Sequence, residues 1–146
     1  MRHICTFILY LLVSFTAFSQ NSVSFISETK DEITVRILVY ARNEKNAVIE
    51  AKLYAINSLL FRGISGSSYS RPIIGTDEER IVNEHLDYFD SFYNSRYLSF
   101  ITSAIPKSKL VKDETKRKCM VFDVSIKKLT LKRDLEDSGV IRKFGF

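Results

Sequence analysis

The chain has 146 residues, 22 Lys+Arg against 17 Asp+Glu, a formal charge of +5 and 45% hydrophobic residues. That length suits one domain. With 5 Gly, 2 Pro and 27% charged residues, the composition excludes a collagen, a Pro/Gly-rich linker and a chain too polar to fold. Two cysteines exclude a disulfide-dense scaffold and a four-cysteine zinc module.

Met1-Arg2-His3 is a short positive start, and Ile4 to Phe18 is almost wholly apolar. Ala17-Phe18-Ser19 then places small residues at the two positions a signal peptidase reads, so residues 1–19 read as a secretory signal peptide. The apolar run of about 15 residues is short of the ~20 that span a bilayer, which disfavours an uncleaved anchor. Leaders ending in Phe-Ser-Gln resemble those of exported proteins in some Gram-negative bacteria. Cleavage leaves a single domain, 20–146, of 127 residues at +4, with Cys119 as its one thiol. No later segment is long and apolar enough to cross a membrane. The expected location is therefore periplasmic or extracellular.

Val23 to Ile26 is short and rich in strand formers. Glu28-Thr29-Lys30-Asp31 reads as a turn. Ile33, Val35, Ile37 and Val39 alternate with Thr34, Arg36, Leu38 and Tyr40, which predicts a second, antiparallel strand. Asn43 can cap a helix over 44–62, where Ala47, Ala51, Ala55 and Leu59 recur every four residues and Gly63 supplies the stop. Its alanines predict close packing on a sheet. The segment GISGSSYSRPIIG (63–75) is a loop by composition. Thr76 and Glu79 have capping-box spacing, which predicts a second helix running to Asn94, with Val82, Leu86, Phe89 and Tyr93 on one stripe and Ile81, His85 and Phe92 beside it. Tyr97 to Ile105 reads as extended and Lys112 to Thr115 as a turn. Met120, Phe122, Val124 and Ile126 alternate as a clear strand. Leu131 and Leu135 mark a short C-terminal helix that Gly139 can end, and Val140-Ile141 suggests a final short strand. The expected fold is α+β: a mostly antiparallel sheet, two main helices on one face, and a short C-terminal helix.

Candidate chemistry is sparse. The 63–75 loop lacks the Gly-Lys-Ser/Thr ending of a phosphate loop, so Ser67, Ser68, Tyr69 and Arg71 are candidates for partner contact. Tyr88, Phe89, Phe92, Tyr93, Tyr97 and Phe100 could stack on a ligand, but their spacing fits a core-facing stripe. His85 and Cys119 are alone of their kinds after the leader, so neither a zinc site nor a thiol–imidazole pair is expected. Glu84, Asp87 and Asp90 fit a solvated helix face. Residues 107–146 hold twelve Lys/Arg against six Asp/Glu, whereas 20–106 hold nine against eleven. This basic final third can attract anionic partners. Its candidate residues are Lys116, Arg117, Lys118, Lys127, Lys128, Lys132 and Arg133. In an exported protein the partner is an envelope protein or an anionic surface polymer, and export disfavours nucleic acid. No catalytic residue, metal or cofactor is predicted.

The segments AVIEAKLYAINSLLFRG (47–63), DYFDSFY (87–93) and DLEDSGVIRKFGF (134–146) resemble small exported bacterial envelope proteins. The first is similar to the alanine-rich helix of the N-terminal module of flagellar assembly protein T and of related small lipoproteins. The chain lacks the acylated cysteine of those lipoproteins. The resemblance implies an exported, non-catalytic α+β module and carries over no active residue. The expected role is a binding or assembly component of the envelope. The alternative is a small exported hydrolase or inhibitor-like protein with a site near the 63–75 loop.

Overall fold

The computed structural model describes residues 20–143. The expected leader, 1–19, and the last three residues lie outside them. Two strands open the fold, β1 (Ser22–Glu28) and β2 (Ile33–Tyr40), followed by α1 (Glu44–Asn57) and a π-helical turn, Ser58–Arg62. After the 63–75 loop come α2 (Glu78–Glu84), α3 (Leu86–Asn94) and a 3-10 turn, Arg96–Phe100. The chain ends with β3 (Ile101–Pro106), β4 (Val111–Lys112), β5 (Lys118–Ile126) and α4 (Lys128–Asp137). This is an α+β architecture on a five-stranded antiparallel sheet.

The sheet order is β1-β2-β5-β3, and β4 extends the β3 edge along the start of β5. Alternation along β2 and β5 decides what each face does. Ile33, Val35, Ile37, Val39, Met120, Phe122, Val124 and Ile126 are buried toward the helices. The opposite face carries Arg36 paired with Asp123 at 2.8 Å and the Thr34–Ser125 hydrogen bond. One face buried and one wet is the arrangement that makes a period of two visible in sequence.

Asn43 caps α1, its side chain accepting from the Asn46 N–H at 2.8 Å. Ala47, Ala51 and Ala55 are fully buried on the helix side of the sheet, as their four-residue spacing predicts. The helix does not stay α-helical to Arg62. From Ser58 it widens, and the Gly63 N–H donates to Ser58 O, five residues back. The wider turn lets Leu59, Leu60 and Phe61 all enter the core in succession. At the junction the Ser58 hydroxyl donates to Tyr54 O, a local bond that favours such irregularity.

Three further expectations are corrected. The second helix is capped by Asp77, not Thr76, and is broken at His85, whose N–H is shared between Ile81 O and Val82 O. The break turns Ile81, Phe89 and Phe92 inward and leaves Leu86 58% exposed, so of the expected Val82–Leu86–Phe89–Tyr93 stripe Phe89 is buried, Val82 and Tyr93 pack at its edge, and Leu86 faces out. Tyr97 and Phe100 are buried from a 3-10 turn, and the strand starts only at Ile101. Val140-Ile141 is not a strand. It wraps back, with Gly139 N–H donating to Glu136 O and Val140 N–H to Leu135 O, a Schellman closure of α4 that uses the positive φ of Gly139.

Candidate binding cleft between the 63–75 loop and the end of helix α4

The 63–75 loop is ordered by hydrogen bonds at both ends. Gly63 has φ 81°, and a Cβ there would stand 2.3 Å from Ser70 O, so only glycine fits the return. Ile64 N–H donates to Tyr69 O at 2.7 Å, closing a small lobe in which the Ser67 hydroxyl donates to Ile64 O and accepts from the Tyr69 N–H. Further on, Ile73 and Ile74 donate their N–H groups to Leu59 O and Leu60 O, carbonyls of the π-helical turn. The loop therefore satisfies a helix end that would otherwise be left open.

A polar clamp fastens this lobe to the sheet. Glu28, at the end of β1, accepts from the Ser68 N–H at 2.8 Å and from the Ser68 hydroxyl at 2.7 Å. The same carboxylate is paired with Lys128 Nζ at 2.8 Å, and that ammonium lies 5.4 Å from the centre of the Tyr69 ring. The Lys128 side chain is buried and that of Glu28 is partly exposed, so the pair is half-buried. The Lys128 ammonium, with help from Ser68, holds the Glu28 carboxyl down at about 2. Ser67, Ser68, Tyr69 and Lys128, candidates for partner contact, are thus engaged with their own chain.

The basic residues do not form one surface. Lys116, Arg117 and Lys118 lie at the β4–β5 turn, which Asp113 organises by accepting from the N–H groups of Thr115 and Arg117. Lys116 takes φ 62° in that turn. Arg117 stacks on Tyr40, 4.4 Å from the ring centre, and with Arg42 and Lys118 it lines a hollow of about 350 Å³ at that end of the sheet. Lys127, Lys128, Lys132 and Arg133 belong to the other end of β5, roughly 27 Å away at about 3.4 Å per strand residue. Lys127 and Arg133 are exposed there.

Loop and tail do meet at a second place. Arg71 from the loop, Lys132 from α4 and Arg142 from the segment after α4 line a cleft of about 400 Å³. Its apolar walls are Ile73 and Ile74 on the loop side and Val140 and Ile141 on the tail side. All four pack on the core, so the walls are supported from below. No Asp or Glu is among the lining residues. Among the described residues, Arg71 and Arg142 have no ion pair. Lys132 keeps a contact within the chain. From sequence, Tyr69, Arg71 and Lys132 were separate candidates, and all three line this cleft. The apolar walls and Arg142 were not foreseen as part of one site. The available signal was the pairing Arg71-Pro72-Ile73-Ile74 and Val140-Ile141-Arg142, two apolar doublets beside an arginine in otherwise polar segments.

The remaining candidates are structural. Phe89, Phe92, Tyr97 and Phe100 are buried, and Tyr88 and Tyr93 flank them with ring centres 5.1–5.9 Å from Phe89. Tyr88 donates to Asp134 at 2.7 Å, and Arg96 pairs with the other oxygen of that carboxylate. Burial, then the Asp134 contact, pushes the Tyr88 hydroxyl well above its usual range, and burial does the same to Tyr93. Cys119 is a buried free thiol and His85 is half-buried at the helix break. Among the described residues no three His, Cys, Asp or Glu side chains converge as metal ligands, and no helix is long and apolar enough to cross a membrane.

The chain matches no family model, no curated protein and no solved structure.

Proposed function

We propose that this protein is an exported, non-enzymatic binding component of a bacterial cell envelope and that it binds through the cleft between the 63–75 loop and the end of α4. The carrying observation is that Arg71, Lys132 and Arg142 line one cleft together with Ile73, Ile74, Val140 and Ile141, with no Asp or Glu in the lining. A few polar groups on an apolar, concave, preformed surface are the usual make-up of a ligand site. The leader-like start and the resemblance to envelope modules support the exported location. The hydrolase alternative is weakened at its proposed place, because the Ser67 and Ser68 hydroxyls serve Ile64 O and Glu28.

The test expresses the full chain with its first 19 residues and recovers it from the periplasm. The expected N-terminus is Gln20. The purified chain is then eluted from an anionic polymer matrix with salt. Arg71→Gln/Arg142→Gln should elute earlier than Lys116→Gln/Lys127→Gln, which has the same net charge but leaves the cleft intact. An uncut cytosolic chain would contradict the export reading. Identical elution of the two double variants would contradict the cleft reading.

A further inference from the structure

We propose that the cleft takes a soluble single-chain amphiphilic anion, one molecule at a time, its carboxylate or phosphate among Arg71, Lys132 and Arg142 and its alkyl chain along Ile73, Ile74, Val140 and Ile141. This rests on the reading of the cleft as the binding site and adds the chemistry of the ligand. The juxtaposition is the argument: three cations and four aliphatic side chains border the same hollow of about 400 Å³. A bare polyanion would pair with the two arginines and leave the aliphatic walls wet. A neutral lipid would cover the walls and gain nothing from the cations. Only a ligand with both characters uses both halves. Guanidinium groups favour planar or tetrahedral oxyanions, which they bind through two parallel hydrogen bonds.

The same geometry favours a monomer over a bilayer surface. A membrane-inserting surface needs protruding apolar side chains. Among the described residues, the large apolar side chains that do protrude are Ile26, Ile49, Leu86, Leu98, Ile105 and Val111, and none of them lines this cleft. The aliphatic side chains of the cleft are recessed and half-buried. Both walls are also fixed before any ligand arrives. Ile73 and Ile74 are held by Leu59 O and Leu60 O, and Val140 and Ile141 by Leu135 O. A preformed site loses less ordering entropy on binding.

The test is calorimetric titration of the mature chain with butanoate, hexanoate, octanoate and octyl phosphate below their micelle concentrations, with inorganic phosphate as the headgroup alone. Affinity should rise about two- to fourfold per added methylene, the upper figure being that for full burial. Arg71→Gln should weaken octyl phosphate about tenfold, the loss of one charge-assisted contact. Ile141→Ser should flatten the chain-length series while circular dichroism stays native. Affinity independent of chain length, or phosphate as tight as octyl phosphate, would overturn the proposal. Binding to vesicles of anionic lipid without binding to octanoate would overturn it too, by moving the ligand to a membrane surface. Polyglutamate serves as the acidic polymer. If it binds in an Arg71-dependent way while the alkyl series is flat, the ligand class fails and the cleft stands. If Arg71→Gln alters neither, both fail.

Discussion

Glu28 joins three segments distant in sequence: its own strand, the loop through Ser68 and helix α4 through Lys128. Its carboxyl lies at about 2 instead of the ordinary 4.5, so the fold favours the ionised form. The sign follows. The contribution is complete above about pH 5, falls as pH drops through 4.5, and is gone below about pH 2. Urea midpoints measured from pH 7 to 2 should show Glu28→Gln less stable than the parent at neutral pH and the two converging in acid. A constant gap across that range would show that the charge of Glu28 is not what fastens the loop. Tyr88 gives a second test. Tyr88→Phe removes a bond to an ionised partner in a half-buried setting and should lower stability by about 1–2 kcal/mol in chemical denaturation. In an ultraviolet pH titration of the folded chain, Tyr88 and Tyr93 should remain un-ionised well past pH 10, because burial disfavours the phenolate.

Within the elements, two glycines separate conformation from space. Gly139 has φ 75° and open space where a Cβ would go, so Gly139→Ala should cost only the backbone term, about 1 kcal/mol. Gly63 has φ 81° and a backbone oxygen in that position. Gly63→Ala adds an overlap and should cost about 3 kcal/mol, read as a larger fall in thermal midpoint. Equal falls would mean that the loop return has room to yield. These stops were legible, since glycine after an amphipathic run is a strong signal. The strands 33–40 and 118–126 were legible because one face is buried and the other wet. The break at His85 was not: neither glycine nor proline marks it, and the change of direction comes from packing Phe89 and Phe92 inward. Nor was the π turn at Ser58, where letters that suit an α-helix widen to bury Leu59, Leu60 and Phe61 together. Tyr97 and Phe100 are three residues apart, the repeat of a 3-10 turn, but in so short a run the spacing does not distinguish turn from strand.

Across the whole molecule, strand β5 divides the basic final third. Lys116, Arg117 and Lys118 go to one end, and Lys127, Lys132 and Arg133 to the other. Composition reveals an excess of charge but not its division, which depends on the length and direction of one strand. Half of the candidate loop is taken up by the Glu28–Lys128 clamp, and what remains of loop and tail meets at Arg71, Lys132 and Arg142. Arg71 was visible in sequence as a loop cation. Its company of Ile73, Ile74, Val140 and Ile141 was not, because chain reversals after Gly63 and Gly139 bring those residues together. The central claim is therefore a location as well as a chemistry. A nitrogen-15 NMR titration of the mature chain with octyl phosphate tests it most directly. The account predicts amide shifts confined to Arg71, Ile73, Ile74, Lys132 and 140–142. Shifts centred on Tyr40, Arg42, Arg117 and Lys118, or scattered over the basic surface, would contradict it.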